Sequence, residues 1–324
     1  LCLVMDAEGR PVCTEMWPGN TADVSVLLPV VDRLRGRFGI RRVCIVADRG
    51  LISEATIAGL EERGFDYILG ARERSDSLVR DVVLADERAF MPLLVTRAAG
   101  HETQLFAKEV QVGGRRYIVC RNEAEAEKDR ADRQAIVAAL EQQLQRGDKA
   151  LIGNSAYRRY LRRVRTSKGE DTDATSAFEI DPGKLAEEAI YDGIFVLRTN
   201  SRLHPLLAMS RYRDLLAVEQ LFRNAKCILR TRPIYHASDA TIRGHVFCSF
   251  LALVLQKELD NRCRAKGVTV EWADLIRDLD RLQAATIEQD GKRITLRTAV
   301  AGQIGQVFKA VGVALPPNTR NAAA

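Results

Sequence analysis

"VCIVADRGLIS", residues 43–53, decides how the chain is read. Val43, Cys44, Ile45 and Val46 are all β-branched or sulfur-bearing, the composition of a strand buried on both faces. The run stops at Asp48, Arg49 and Gly50, and an apolar pair follows. In open α/β proteins ligands bind in the crevice outside the carboxyl ends of such strands, so a carboxylate here is a candidate site residue. A plainer reading has Asp48 capping a helix that starts near Ser53. The local pattern leaves both open.

Upstream, residues 1–5 and a run through Met16 read as the strands of a hairpin around Asp6-Ala7-Glu8-Gly9. Pro18, Gly19 and Asn20 break the second strand, Thr21 is a candidate cap, and apolar positions 24, 27, 28, 30, 31 and 34 give a helix one face. Asn20 and Asp23 read as a cap and a first-turn acid. Downstream come a helix over about 53–63 and the strand "DYILGA". Hairpin, helix, strand, helix, strand is a mixed α/β pattern.

From about residue 75 the texture changes. "ETQLFAKEVQVGGRRYIVCRN" alternates on both sides of Gly113-Gly114 and predicts a hairpin, followed by a charged helix over 123–146. "YRRYLRRVRTSKGED" (157–171) is strongly basic, which suits either a solvated face or a phosphate backbone. Pro182 opens a helix, and the Asp192-Gly193 turn leads into the buried strand "IFVLRTN", where Thr199 and Asn200 either touch a site or end the strand. Residues 204–262 are mainly helical, with a break around 231–233. The expected divisions are 1–74 and 181–262 as two parts of one α/β domain, 75–180 as an insertion, and 263–324 as a strand-and-helix appendix ending in a disordered "NTRNAAA".

At 324 residues with 46% apolar content the chain is long enough for a full core and is not disordered by composition. A net charge of +6 favours an anionic partner. The seven cysteines (2, 13, 44, 120, 227, 248, 263) are scattered and read as reduced thiols of a cytoplasmic protein, mostly core fillers. None of the four histidines stands at metal-ligand spacing from a Cys or another His, and the longest apolar run, 246–255, is too short to span a bilayer. The chain opens inside a strand without an initiating Met, as a fragment of a longer protein does.

A second constellation lies in "RYRDLLAVEQLFRNAKCIL" (211–229). Tyr212, Glu219 and Lys226 are seven apart, which at about 3.6 residues per helical turn places them on one face, with Arg223 one turn beyond Glu219. Taken alone, such a face is an ordinary solvent-exposed set of ion pairs.

"PGNTAD", "VADRGLIS", "YDGIFVLRTN" and "YRDLLAVEQLFRNAKCILRTRPIYH", in this order and continuing through "TIRGHVFCSFLALVL", resemble bacterial insertion-sequence transposases of the DDE class, in the group with a Tyr-Arg-Glu-Lys signature. The resemblance covers most of the chain. It implies an RNase H-like mixed sheet flanked by helices, interrupted by a largely β insertion that contacts DNA. It also implies Asp48 as second and Glu219 as third catalytic, metal-binding acid, and a two-metal Mg²⁺ or Mn²⁺ site. Tyr212, Arg223 and Lys226 would position DNA. The family's Arg four residues before the Glu is Leu215 here, and Arg211, one turn earlier, is the candidate substitute. The first acid of the family lies on a strand before the hairpin, so Asp6 is assigned to its turn and the first catalytic Asp is expected outside this chain.

The function implied is cleavage and strand transfer of DNA at element ends, by a homodimer acting on terminal inverted repeats and target DNA in the bacterial nucleoid. The alternative is an inactive, truncated remnant that only binds DNA or a partner. An unrelated phosphohydrolase on an open sheet would need a further acid cluster near Asp48 in sequence, and none is found.

Overall fold

The computed structural model describes residues 2–39, 43–96, 102–146, 159–165, 176–216, 218, 219, 221, 223, 233–289 and 292–322. In chain order the elements are β1 (Cys2–Met5), β2 (Pro11–Glu15), α1 (Leu27–Phe38), β3 (Cys44–Ala47), α2 (Glu54–Glu62), β4 (Asp66–Gly70), β5 (Met91–Thr96), β6 (Glu102–Val112) and β7 (Arg115–Arg121). There follow α3 (Glu123–Arg146), β8 (Leu161–Arg165), β9 (Ser176–Ile180), α4 (Pro182–Ala189), β10 (Ile194–Thr199), α5 (Pro205–Arg213) and α6 (Asp239–Ala265). The last are α7 (Trp272–Arg281), β11 (Ala284–Gln289), β12 (Lys292–Arg297), α8 (Ile304–Val311) and β13 (Thr319–Ala322). They form two units: a sheet unit, Ala22–Arg213, and a terminal unit made of Leu1–Thr21 and Asp214–Ala324.

The sheet unit is built on a six-stranded mixed sheet of order β3-β4-β10-β7-β6-β5. β3 and β4 run parallel, which requires a crossover, and α2 supplies it; the other pairs are antiparallel. The apolar run of β4 is buried on both sides. Ile68 packs with Leu105, Ile118, Cys120 and Leu197 under Ala208 and Met209 of α5. Tyr67 and Leu69 point the other way, against Val31 of α1 and Ile57 and Leu60 of α2. Farther along that face, Tyr117, Val119 and Val196 meet Val79 and Val83 of a single π-helical turn. The expected fold class, a mixed sheet with helices around it, is the one found.

The segment 75–180 contributes in two ways. The Gly113-Gly114 hairpin pairs through β7 with β10, so β5, β6 and β7 extend the main sheet. α3 and the two-stranded β8–β9 sheet gather a separate small core around Leu140, Tyr160 and Leu161. α3 is tied to the sheet at the Asp192-Gly193 turn. Arg133 forms an ion pair with Asp192, the Gly193 N–H donates to Asp129 at 2.9 Å, and the Asn122 N–H donates to the Gly193 carbonyl at 3.0 Å.

In the terminal unit Asp6 Oδ1 accepts from the N–H groups of Glu8 and Arg10, closing the β1–β2 turn, while Leu3 and Met5 pack on Leu221 and Leu253. Ser238 caps α6, whose far end is buried at Cys263 against Leu275 of α7 and Val307 of α8. Three sequence expectations change. Thr21 caps nothing: Ala22 precedes a 3-10 turn over Asp23–Ser25, and α1 begins only at Leu27. Thr319–Ala322 of the tail is ordered, because β12 offers an open edge that β13 pairs with and Arg297 grips the Pro316 carbonyl at 2.8 Å. The single helix expected over 211–229 is interrupted, since α5 ends at Arg213 and Asp214 stands in a turn. Among the described residues no helix is long and apolar enough to cross a membrane.

Gly193 has φ 64°, and a Cβ there would stand 2.3 Å from the Asn122 carbonyl oxygen. Gly193→Ala is therefore expected to destabilise the sheet unit by about 1–3 kcal/mol, the usual range for an overpacked contact, read as a lower denaturation midpoint with unchanged cooperativity.

Candidate functional site

β3 ends at the buried Ala47, and the next residue, Asp48, is exposed. Its backbone is extended (φ −76°, ψ 158°) and begins a 3-10 turn over Arg49–Leu51. The capping of α2 does not fall to Asp48. Ser53 does it, with its Oγ accepting from the Thr56 N–H at 3.1 Å. Asp48 Oδ1 accepts from the Arg49 N–H at 2.8 Å and from the Tyr212 hydroxyl at 2.9 Å. Among the described residues Oδ2 receives no hydrogen bond. An exposed carboxylate with one oxygen fixed and the other open is a hard donor of the kind Mg²⁺ and Mn²⁺ prefer, so the residue fits the cation expected from its sequence position. Among the described residues no three His, Cys, Asp or Glu side chains gather into a complete metal cage.

Tyr212 reaches Asp48 because of what lies beneath it. Its ring stacks on Phe195 of β10, centroids 6.5 Å apart and 15° between planes. Its hydroxyl passes directly over the last residue of β4, where a Cβ on Gly70 would lie 2.3 Å from the phenol oxygen. Only glycine admits that approach. Burial pushes the phenol above its ordinary value, and the charge of Asp48 and the hydrogen bond to it push the same way. Tyr212 is thus a neutral donor to the Asp48 side chain.

The neighbouring Arg211 lies on the same helix, and its charge partly offsets the effects of burial and of Asp66 on the Cys44 thiol at the start of β3, which rises to about 11. Glu219 and Arg223 stand exposed in helical turns of the terminal unit, so the seven-residue spacing from Tyr212 does not describe one continuous helix face. Lys226 lies outside the described residues. Thr199 and Asn200 end the strand. The Thr199 hydroxyl donates to the Tyr67 carbonyl at 2.5 Å, and the Asn200 amide group bonds the Tyr67 N–H and the Phe65 carbonyl, at the end of β4 away from Gly70. Asp23 belongs to the 3-10 turn that packs against the turn following Asp48. His236 makes an edge contact with His245, centroids 5.3 Å apart.

Two residues of the sheet unit escaped the sequence reading. Glu73, whose side chain is only 8% exposed, accepts from Arg49 and Arg74. Arg198 is buried, bonds Glu54 at 2.6 Å and Asp76 at 2.9 Å, and lies 5.2 Å from the Tyr117 ring centroid. The signal for Glu73 was present in "GARERS", where charges follow a buried strand end with no turn residue between. For Arg198 it was a cation inside an apolar strand.

Two outcomes follow for Tyr212. A folded-state phenol raised above its unfolded value near 10 contributes stability that is present below that pH and lost as pH rises through the folded value. Ultraviolet titration against Tyr212→Phe should place this phenol above the ordinary range, and Asp48→Asn should lower it only part way, because burial, the larger cause, remains. Gly70→Ala should displace the ring, destabilise the protein and bring the phenol toward its ordinary value. An unchanged titration in Gly70→Ala would refute the close packing.

No curated protein matches the chain. The family described as the transposase DDE domain matches over residues 1–255, which takes in the whole sheet unit with Asp48 and Tyr212 and extends through Glu219 into α6. The chain belongs to the transposase DDE domain family.

Proposed function

We propose that this transposase cleaves and joins DNA at the ends of an insertion sequence by metal-dependent phosphoryl transfer. The observation that carries the reading is the Asp48 carboxylate, exposed at the end of the half-buried edge strand β3, with one oxygen held by Tyr212 and Arg49 and the other accepting no hydrogen bond among the described residues. Asp48 and Glu219 are the carboxylates assigned to hold Mg²⁺ or Mn²⁺, which when bound lowers the pKa of an attacking water or hydroxyl and stabilises the charge developing on the phosphate.

The rest is the work of side chains. The Tyr212 hydroxyl, donating to Oδ1, helps to fix the rotamer of Asp48. A phenol is protonated at neutral pH in any case, and burial together with Asp48 pushes this one higher, which extends the donor's range to more alkaline pH. Arg211, Arg223 and Lys226 are assigned to phosphate contacts, and so is the insertion 75–180 with its basic run. The partners are the terminal inverted repeats and target DNA, engaged by a homodimer that holds two ends.

In a plasmid excision assay with the full-length protein, Asp48→Asn and Glu219→Gln should each reduce excision to background. Calorimetry should show weaker Mn²⁺ binding in both, while short-duplex binding in the presence of a chelator stays within a few-fold of wild type. Excision that persists in either variant would remove that carboxylate from the chemistry.

A further inference from the structure

The loop leaving β4 holds a charge arrangement that links the Asp48 end of the sheet to the basic run. Glu73 Oε1 accepts from Arg49 Nη1 and from Arg74 Nη1, each at 3.1 Å. Arg74 continues through its Nε to Glu188 Oε2 at 3.2 Å, and Glu188 takes Arg159 Nη1 at 3.6 Å. Arg72 braces the start of the row, donating to the Arg49 carbonyl at 3.3 Å from both Nε and Nη2. Charges therefore alternate without a gap from the residue beside Asp48 to Arg159, just ahead of β8 and inside the basic run.

The two signs are not equally exposed. The side chains of Glu73 and Glu188 are 8% and 20% exposed, whereas Arg49, Arg74 and Arg159 are 56%, 45% and 52% exposed. The carboxylates lie beneath and the guanidiniums face water. Arg74 is further fixed by its contact with the face of Tyr191, 4.8 Å from the ring centroid.

We propose that Arg49, Arg74 and Arg159 form a ridge that tracks a DNA phosphate backbone leading away from Asp48, and that Glu73 and Glu188 are the positioning residues that hold it. The nature of the ligand rests on the transposase reading; the ridge itself rests on these contacts. A free arginine loses rotamer entropy when it binds a phosphate. One already anchored on a buried carboxylate has lost it on folding, and each guanidinium has five N–H donors, of which the anchors occupy only some. Ion pairs made only for stability gain little from half-exposed cations, because water screens them.

The test is equilibrium binding of the full chain to a short mixed-sequence duplex, in chelator so that no cleavage intervenes, across a salt series. Arg74→Ala and Arg159→Ala should each weaken binding at least threefold. Each should also flatten the slope of log affinity against log salt by about one, the signature of a lost phosphate contact. Arg262→Ala, on the terminal unit, is the control and should change neither.

Glu73→Gln separates positioning from charge, with Arg74→Lys beside it as a variant that keeps the charge and loses the fork. Removing a negative charge should tighten binding on electrostatics alone, whereas loss of an anchor weakens it. Weaker binding in both, with circular dichroism unchanged, is the result expected. If the wild type binds DNA and the arginine variants match it, or if Glu73→Gln binds more tightly, the ridge is overturned and the transposase reading stands. If the wild type does not bind duplex DNA at all, both fall.

Discussion

β4 can turn neither face to water. Ile68 faces α5 while Tyr67 and Leu69 face α1 and α2, and all three are fully buried. At roughly 1.5–3 kcal/mol for each large apolar side chain removed from water, this one strand organises both layers of the sheet unit. It also fixes the neighbours: β3 lies parallel on one side and β10 antiparallel on the other. A strand buried this way can offer chemistry only at its ends. One end is sealed by Asn200 and Thr199. The other is Gly70, a residue with no side chain, and that vacancy is where the Tyr212 hydroxyl passes to reach Asp48.

The site is thus a consequence of packing, not an addition to it. Phe195 and Gly70 position Tyr212 from below and burial keeps its proton in place. Asp48, one residue beyond the buried Ala47, emerges with a single oxygen hydrogen-bonded among the described residues. α2 requires no help from it, because Ser53 supplies the cap. The Asp48 side chain instead accepts from the Arg49 N–H of the following 3-10 turn and from the Tyr212 hydroxyl, both through the same oxygen.

Much of this was legible in local pattern. The apolar run of 43–47, the Gly113-Gly114 hairpin, the charged helix over 123–146 and the helix opening at Pro182 emerge where periodicity and turn chemistry place them, because each is set by residues close in sequence. What pattern could not supply is pairing at a distance. That β7 joins β10, and so brings the hairpin of the insertion into the main sheet, depends on strands more than seventy residues apart. Glu73 looks like any loop carboxylate until the fold buries it, and the tail becomes a strand only because β12 has an edge to fill. The interruption at Asp214 is of the same kind. A seven-residue spacing states what a continuous helix would do, and says nothing about whether the helix continues.

Net charge shows the same limit. A surplus of +6 over 324 residues is modest, and composition alone gives it no direction. The sheet unit gives it one by setting carboxylates deeper than the guanidiniums: Glu73 buried under Arg49 and Arg74, and Glu188, 20% exposed, under Arg74 and Arg159. A carboxylate drawn away from water without cations around it is costly, so the arginines are held beside it. Each sign holds the other where it is. The field that reaches an approaching polyanion is set by the charges nearest the surface, and along this row those charges are positive.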